Sequence, residues 1–186
     1  ALALDPGDFR IHIVLGDAEA YDDAPEARER ARVHFRQVME LGPRDWYGHL
    51  RYAVYLQNEG ELRESVREAD LAVELQPSAE YAYLCASLSL LWLGEAREAK
   101  ARAEAGLAQV PSSRLMRVNL AAALHALGDR PGFQETIKTL TGAWPEDHVI
   151  TRLLAGLAAD LEGRPSTLKT IFEAYLAQVE KTPWKE

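Results

Sequence analysis

Prolines recur along this chain at one fixed interval. Four of them stand 34 residues apart, at Pro43, Pro77, Pro111 and Pro145. Three glycines keep the same 34-residue step, at Gly60, Gly94 and Gly128. A helix breaker that returns in the same phase at such an interval predicts stacked copies of one small structural unit.

The capping and helix-breaking residues of each unit predict a pair of helices joined by a tight turn. In the unit 46–79, Asp45 can cap a first helix, because its carboxylate can accept a free backbone N–H. We expect this helix to reach about Asn58 and to end before Gly60, since glycine tolerates the left-handed conformation that closes a helix. A second helix follows, and Pro77 prevents it from continuing.

The same signals divide the whole chain. Repeats are predicted at 9–45, 46–79, 80–113, 114–147 and 148–181. The first is longer, and its extra residues fall in the turn at 21–25. Residues 1–8 match the end of a preceding second helix, and 182–186 form a tail. We therefore expect ten helices in one array over 1–186, itself a part of a longer array. Besides Asp45, three further residues are expected to cap first helices: Ser78, Ser113 and Asp147.

Residue size repeats in the same phase as the breakers. One position of the predicted second helices holds Ala31, Ser65, Ala99, Phe133 and Thr167, and the position four residues later holds Phe35, Ala69, Ala103, Ile137 and Ile171. Small residues let two helices approach closely, while larger neighbours fill the gap beside them. This helix pair, with its mid-unit glycine and terminal proline, resembles the tetratricopeptide repeat (TPR) family. The resemblance covers nearly the whole chain. It implies an all-α solenoid, a right-handed superhelix of about five antiparallel helix pairs plus an N-terminal half-repeat.

The composition is that of a folded protein with an acidic balance. Hydrophobic residues make up 47% of the chain, charged residues 27%, and the net charge is −8. A negative chain does not attract nucleic acid or an anionic membrane, so we expect neither as a partner. Cys85 is the single cysteine, which excludes an intramolecular disulfide. No apolar run is long enough to span a membrane and no signal-peptide pattern is present, so we expect a cytoplasmic location.

No pattern in the sequence predicts a catalytic or metal centre. The five histidines are scattered and lack the spacing of a zinc-binding helix. There is no phosphate-binding glycine loop and no nucleophile elbow. We therefore expect no enzymatic activity, no cofactor and no metal site. Arg28, Arg32 and Arg36 share one helix face. The expectation is a solvated face neutralised by Glu26, Glu29 and Glu40; an anion contact is the alternative.

The segment 81–93 is almost entirely apolar, with Ser87 and Ser89 as its polar residues. A helix that is apolar all round needs cover on every side. Its partner helix and the flanking repeats cover part of it. A further stripe remains, formed by Tyr81, Leu84, Cys85, Leu88 and Trp92.

In the family that this chain resembles, this phase of the first helix faces a concave groove. The resemblance therefore implies a partner-binding groove, apolar with aromatic anchors. Its predicted residues are Tyr47, Leu50, Arg51, Tyr81, Leu84, Leu88, Trp92 and Asn119. The alternative is that neighbouring or missing repeats bury the stripe. Some family members bind a C-terminal carboxylate through paired Lys and Asn in the groove. Here Asn119 alone fits that pattern, so this mode is not expected.

These observations predict a scaffold that binds a peptide or a helix of a protein partner. Two alternatives remain open. The segment could be a regulatory or sensor arm of a larger protein, with a catalytic or DNA-binding part outside it. It could also self-associate through the ends of the array. The sequence identifies neither the partner nor the pathway.

Overall fold

The computed structural model describes residues 8–22, 24–140, 142–143, 145 and 148–163, and all regular structure among them is α-helical. The helices are α1 (Phe9–Ala20), α2 (Pro25–Leu41), α3 (Trp46–Asn58), α4 (Leu62–Leu75), α5 (Glu80–Trp92), α6 (Ala96–Gln109), α7 (Arg114–Ala126), α8 (Arg130–Lys138) and α9 (Val149–Leu161). The prediction of an all-helical chain is confirmed. The expected tenth helix and the N-terminal stub lie outside the described residues.

The chain forms two compact units, Ala1–Pro111 and Ser112–Glu186. In the first unit, α1 packs on α2, α3 on α4 and α5 on α6. Its first helices also lie side by side, since α1 contacts α3 and α3 contacts α5. In the second unit, α7 packs on α8 and both contact α9. The first unit is thus built from stacked helix pairs, and the described part of the second holds one pair and the helix α9; one continuous array over 1–186 remains a prediction.

The predicted small-residue columns are buried between the helices. Ala31, Ser65, Ala69 and Ala103 have no exposed surface, and Ala99 is only 1% exposed. Larger side chains fill the space beside them, as expected for closely packed helices. Phe35, for example, is fully buried, and its ring contacts those of Tyr52 and Tyr55 at centroid distances of 5.6 and 5.2 Å. The core of the second unit is formed by Ala121, Leu124, Phe133, Leu140, Leu154 and Leu157.

The three periodic glycines close the first helices in the same way. Gly60, Gly94 and Gly128 have φ angles of 80°, 78° and 70°, the left-handed region predicted for them. In each case, the next residue's N–H donates to a carbonyl five residues earlier, as in Glu61 N to Leu56 O at 2.9 Å. This is the bond that defines a Schellman motif, which satisfies carbonyls at the helix end.

Replacing Gly94 with alanine should lower the free energy of unfolding by about 1 kcal/mol. A Cβ at this position meets nothing within 4 Å, so the cost comes from the positive φ alone. Gly94→Asn is the matched control, because asparagine tolerates the left-handed region better and should cost less. Urea unfolding of the two variants measures the difference. Equal losses would contradict the backbone explanation.

Among the described residues, two of the predicted helix caps are present in the structure and one is not. Asp45 accepts the Gly48 N–H at 2.6 Å and Ser113 accepts the Met116 N–H at 3.1 Å, as predicted. Ser78 does not cap α5. The helix begins one residue later, after Ala79, and the Ser78 hydroxyl instead accepts a hydrogen bond from the Gln76 side chain. Asp147 lies outside the described residues.

Helix α8 ends earlier than the break predicted at Pro145. Its last residue is Lys138, and Gly142 has a positive φ of 75°. Near this end, the Thr139 hydroxyl donates to the Thr136 carbonyl at 2.6 Å. Threonines that bond nearby backbone carbonyls compete with helix propagation. The helix therefore ends before the proline is reached.

Candidate partner-binding surface

Helix α5 has an apolar outward side with an aromatic ring at each end. Tyr81 is 66% exposed and Trp92 is 57% exposed. Leu84 and Leu88 lie between them and are half-buried, as is the neighbouring Leu91. Residues 81, 84, 88 and 92 fall on one helix face because their spacings are three and four. This side of α5 is therefore a continuous apolar strip that the described residues do not seal.

The other side of α5 is buried, and its polar groups are paired there. The Ser89 hydroxyl lies 3.0 Å from that of Ser65 on α4, and it accepts a hydrogen bond from Gln57 on α3 at 2.8 Å. Cys85, which is part of the predicted apolar stripe, is 5% exposed and lies 3.4 Å from the Ser65 hydroxyl. Burial raises the pKa of the Cys85 thiol, which disfavours the reactive thiolate. Cys85 is thus a core residue and not a surface one.

Helix α3 presents one exposed ring next to this strip. Tyr47 is 43% exposed and stands one 34-residue step before Tyr81, at the same position of a neighbouring first helix. Leu50 was predicted to face the partner, but it is 6% exposed and packs against Ala72, Ala79 and Ala82. We call the outward side chains of α3 and α5 the aromatic face. Its members are Tyr47, Tyr81, Leu84, Leu88, Leu91 and Trp92.

The predicted polar residues of the groove have different environments. Arg51 on α3 donates from Nε and Nη2 to Asp17 Oδ1 on α1, at 3.0 and 2.8 Å. Partial burial acts to lower the pKa of Arg51, but the hydrogen bonds and charge of Asp17 leave it raised. Arg51 is therefore a neutralised link between neighbouring first helices. Asn119 is half-buried on α7 in the second unit.

The arginine stripe on α2 is neutralised mainly by carboxylates that sequence reasoning missed. Arg32 forms a salt bridge with Glu61 and lies over the Tyr55 ring, 5.8 Å from its centroid. Arg28 lies 3.8 Å from Glu59. Of the predicted neutralising residues, Glu29 contacts Arg32 at 4.0 Å. Glu59 and Glu61 flank the periodic Gly60, so the turn of one repeat pairs with the second helix of the previous repeat.

The described part of the chain contains no group of three or more His, Cys, Asp or Glu side chains placed to hold a metal ion. Within the same residues, no helix combines the length and apolar character needed to cross a bilayer.

Solved structures share this helical arrangement. A tetratricopeptide repeat protein from Parabacteroides merdae matches with a TM-score of 0.75 and 14% identity, over 97% of this chain and 68% of that one. MamA from Desulfovibrio magneticus RS-1, from residue 41 to its end, matches with a TM-score of 0.72 and 15% identity, over 97% of this chain and 100% of that one. A chain of Naa15/Naa10 bound to HypK-THB matches with a TM-score of 0.56 and 18% identity, over 94% of this chain and 25% of that one.

No protein-family model matches the sequence, and no curated protein matches it. At the identities of the solved structures, the likeness establishes the fold alone. This likeness and the 34-residue period of the sequence lead to the same assignment. The chain is an all-α protein with the tetratricopeptide repeat fold.

Proposed function

We propose that this protein is a non-catalytic interaction scaffold, and that its aromatic face binds a peptide or a helix of a protein partner. The observation that carries the proposal is the exposure of three large rings on two contacting helices. Tyr47, Tyr81 and Trp92 are 43%, 66% and 57% exposed. Tyrosine and tryptophan are enriched among the residues that dominate binding energy at protein interfaces.

The length of the strip on α5 suits a short segment of a partner. Tyr81 and Trp92 are eleven residues apart on one helix, about 16 Å at the rise of an α-helix. A partner helix of about three turns covers that length, as do about five residues of extended chain. The half-buried leucines between the rings can accept apolar side chains of the partner.

The chemistry of the face favours an apolar segment over a charged one. The outward residues of α5 between its two rings are leucines, and Arg51 on α3 is already paired with Asp17. A charged side chain placed here would lose hydration without a free partner of opposite sign among these residues. In the solved structure of Naa15/Naa10 bound to HypK-THB, a chain of the same fold belongs to a protein assembly.

A phage-displayed random-peptide library selected on the whole protein tests the proposal. Enriched peptides should be rich in apolar residues, and their affinity should fall when Tyr81→Ala and Trp92→Ala are combined. The matched control combines Val33→Ala and Leu71→Ala. These two residues are 45% and 40% exposed, but they lie on the second helices α2 and α4.

Peptides that bind the wild type and the control equally, but the face variant weakly, would support the proposal. Peptides that bind the face variant as well as the wild type would overturn it. Light scattering of the same samples tests self-association separately. A dimer that the face variant abolishes would identify a second copy as the occupant, in place of a different partner.

A further inference from the structure

His49 on α3 is a buried histidine with an acceptor at each ring nitrogen. It is 7% exposed. Its Nδ1 lies 2.7 Å from Glu68 Oε2 on α4, and its Nε2 lies 3.1 Å from the Pro43 carbonyl oxygen in the loop between α2 and α3. The ring therefore spans three parts of the chain: the helix that carries it, the neighbouring helix and the loop that joins two repeats.

Both contacts require a proton on the histidine. A backbone carbonyl accepts and does not donate, and an ionised carboxylate likewise only accepts. A neutral imidazole has one N–H, whereas the imidazolium form has two. One contact is therefore lost, or becomes a repulsion between lone pairs, whenever His49 is neutral.

We propose that His49 is a proton-operated clasp, which holds the α2–α3 loop to α4 when the imidazole is doubly protonated and loosens as the pH rises. The clasp lies at the start of α3, two residues after Tyr47. It thus adds a pH-sensitive element to the junction of the repeats 9–45 and 46–79.

The surrounding charges favour the protonated form. The hydrogen bond that His49 donates to Glu68 is the main cause that raises the pKa of His49 above its ordinary 6.5, while burial acts to lower it. The Pro43 carbonyl and the negative charges of Glu68 and Asp45 add to the upward shift. Arg36 on α2 is a positive group in this region: its charge acts to lower the pKa of Tyr52, and the charge of Glu68 acts to raise it. Negative groups thus predominate around the ring.

The sign of the pH dependence follows from this shift. A group whose pKa is higher in the folded state contributes stability that is complete below its unfolded pKa. That contribution is lost as the pH rises through the folded-state pKa. For His49, the clasp should therefore be closed at pH 6 and should open above the raised pKa.

His34 affects stability in the opposite direction, and its effect has to be separated from that of His49. The Nδ1 atoms of His12 and His34 lie 3.0 Å apart, so they can share one proton but not carry two. Burial, and then the charge of His12, lowers the pKa of His34. Protonation of His34 therefore opposes folding, so the pH dependence of the stability of the whole protein includes both effects.

Histidine-selective ¹⁵N labelling of the whole chain, followed by NMR from pH 5.5 to 9, tests the clasp directly. The signals of His49 are assigned by their loss in His49→Gln. We expect both His49 ring nitrogens to be protonated at pH 6. Glu68→Gln should shift the His49 titration to lower pH. His125→Gln is the control, because that ring contacts one carboxylate, Asp160, at 2.8 Å in the second unit; it should leave the His49 titration unchanged.

Amide hydrogen exchange in the α2–α3 loop provides a second readout. The Asp45 N–H donates to the Gly42 carbonyl at 2.9 Å. Once the exchange rates are corrected for the intrinsic effect of pH, the protection of this amide should fall several-fold as His49 loses its proton. In His49→Gln, this protection should not change with pH. An unprotonated His49 nitrogen at pH 6 would overturn the proposal. So would a wild-type loop whose protection is the same on both sides of the His49 titration.

Discussion

Replacing Phe35 with alanine should lower the free energy of unfolding by about 4 kcal/mol. Phe35 has no exposed surface, and its ring contacts those of Tyr52 and Tyr55 on α3. It also lies against α1, where a Cβ added at Gly16 would be 3.1 Å from the ring. Removing the ring leaves a cavity where three helices meet, and rigid helix pairs can close only part of it.

Urea unfolding measured by circular dichroism gives the size of this loss. Val33→Ala is the matched control, because Val33 lies on the same helix and is 45% exposed. It should change the free energy of unfolding by less than about 0.5 kcal/mol. Similar losses for both variants would contradict the assignment of Phe35 to the core. Because contacts in stacked repeats are mostly between neighbours, hydrogen exchange should locate the Phe35→Ala loss in α1 to α3.

Replacing Tyr81 with alanine should weaken peptide binding about 30-fold and leave the stability nearly unchanged. Burial of one aromatic ring by a partner contributes about 2 kcal/mol, and each 1.4 kcal/mol corresponds to roughly a tenfold change in affinity. In the free protein the side chain is 66% exposed, so its loss should cost less than about 0.5 kcal/mol. Trp92→Ala should behave similarly, and the double variant should bind roughly a thousandfold more weakly if the two effects add.

Leu50→Ala supplies the contrast for this prediction. Leu50 belongs to the same predicted set of binding residues, but it is 6% exposed. Its truncation should lower the free energy of unfolding by about 3 kcal/mol. Fluorescence anisotropy with a library-selected peptide and thermal unfolding of the same samples provide both readouts. A loss of about 3 kcal/mol in Tyr81→Ala would instead assign that ring to the core.

The sequence predicted the helix pairs well because their boundaries depend on local chemistry. Gly60, Gly94 and Gly128 end helices through their own φ angles, and Asp45 and Ser113 cap helices by accepting N–H groups three residues away. Such signals act within one turn and can be recognised without knowledge of the neighbouring helices. Their 34-residue period then implied the stacking of the pairs.

Local signals did not predict a helix end correctly where several nearby residues could each have started or ended the helix. Ser78 can cap a helix, but Gln76 donates to its hydroxyl and α5 begins after Ala79. Likewise, α8 ends at Lys138, before Pro145, where the Thr139 hydroxyl donates to the Thr136 carbonyl. In both cases several residues could have determined the helix end, and the sequence does not rank their strengths.

The sequence by itself therefore determined the repeat, its turns and the apolar character of α5. Only the tertiary structure decided which apolar residues remain exposed. Tyr47 and Leu50 occupy one helix, but Leu50 is covered by alanines of α4 and α5, and Tyr47 is not. The tertiary structure also joined His49 to Glu68, nineteen residues away in the chain. Burial and pairing depend on side chains that neighbouring helices bring close, and a repeat period fixes the spacing of those helices but not the fit of each side chain.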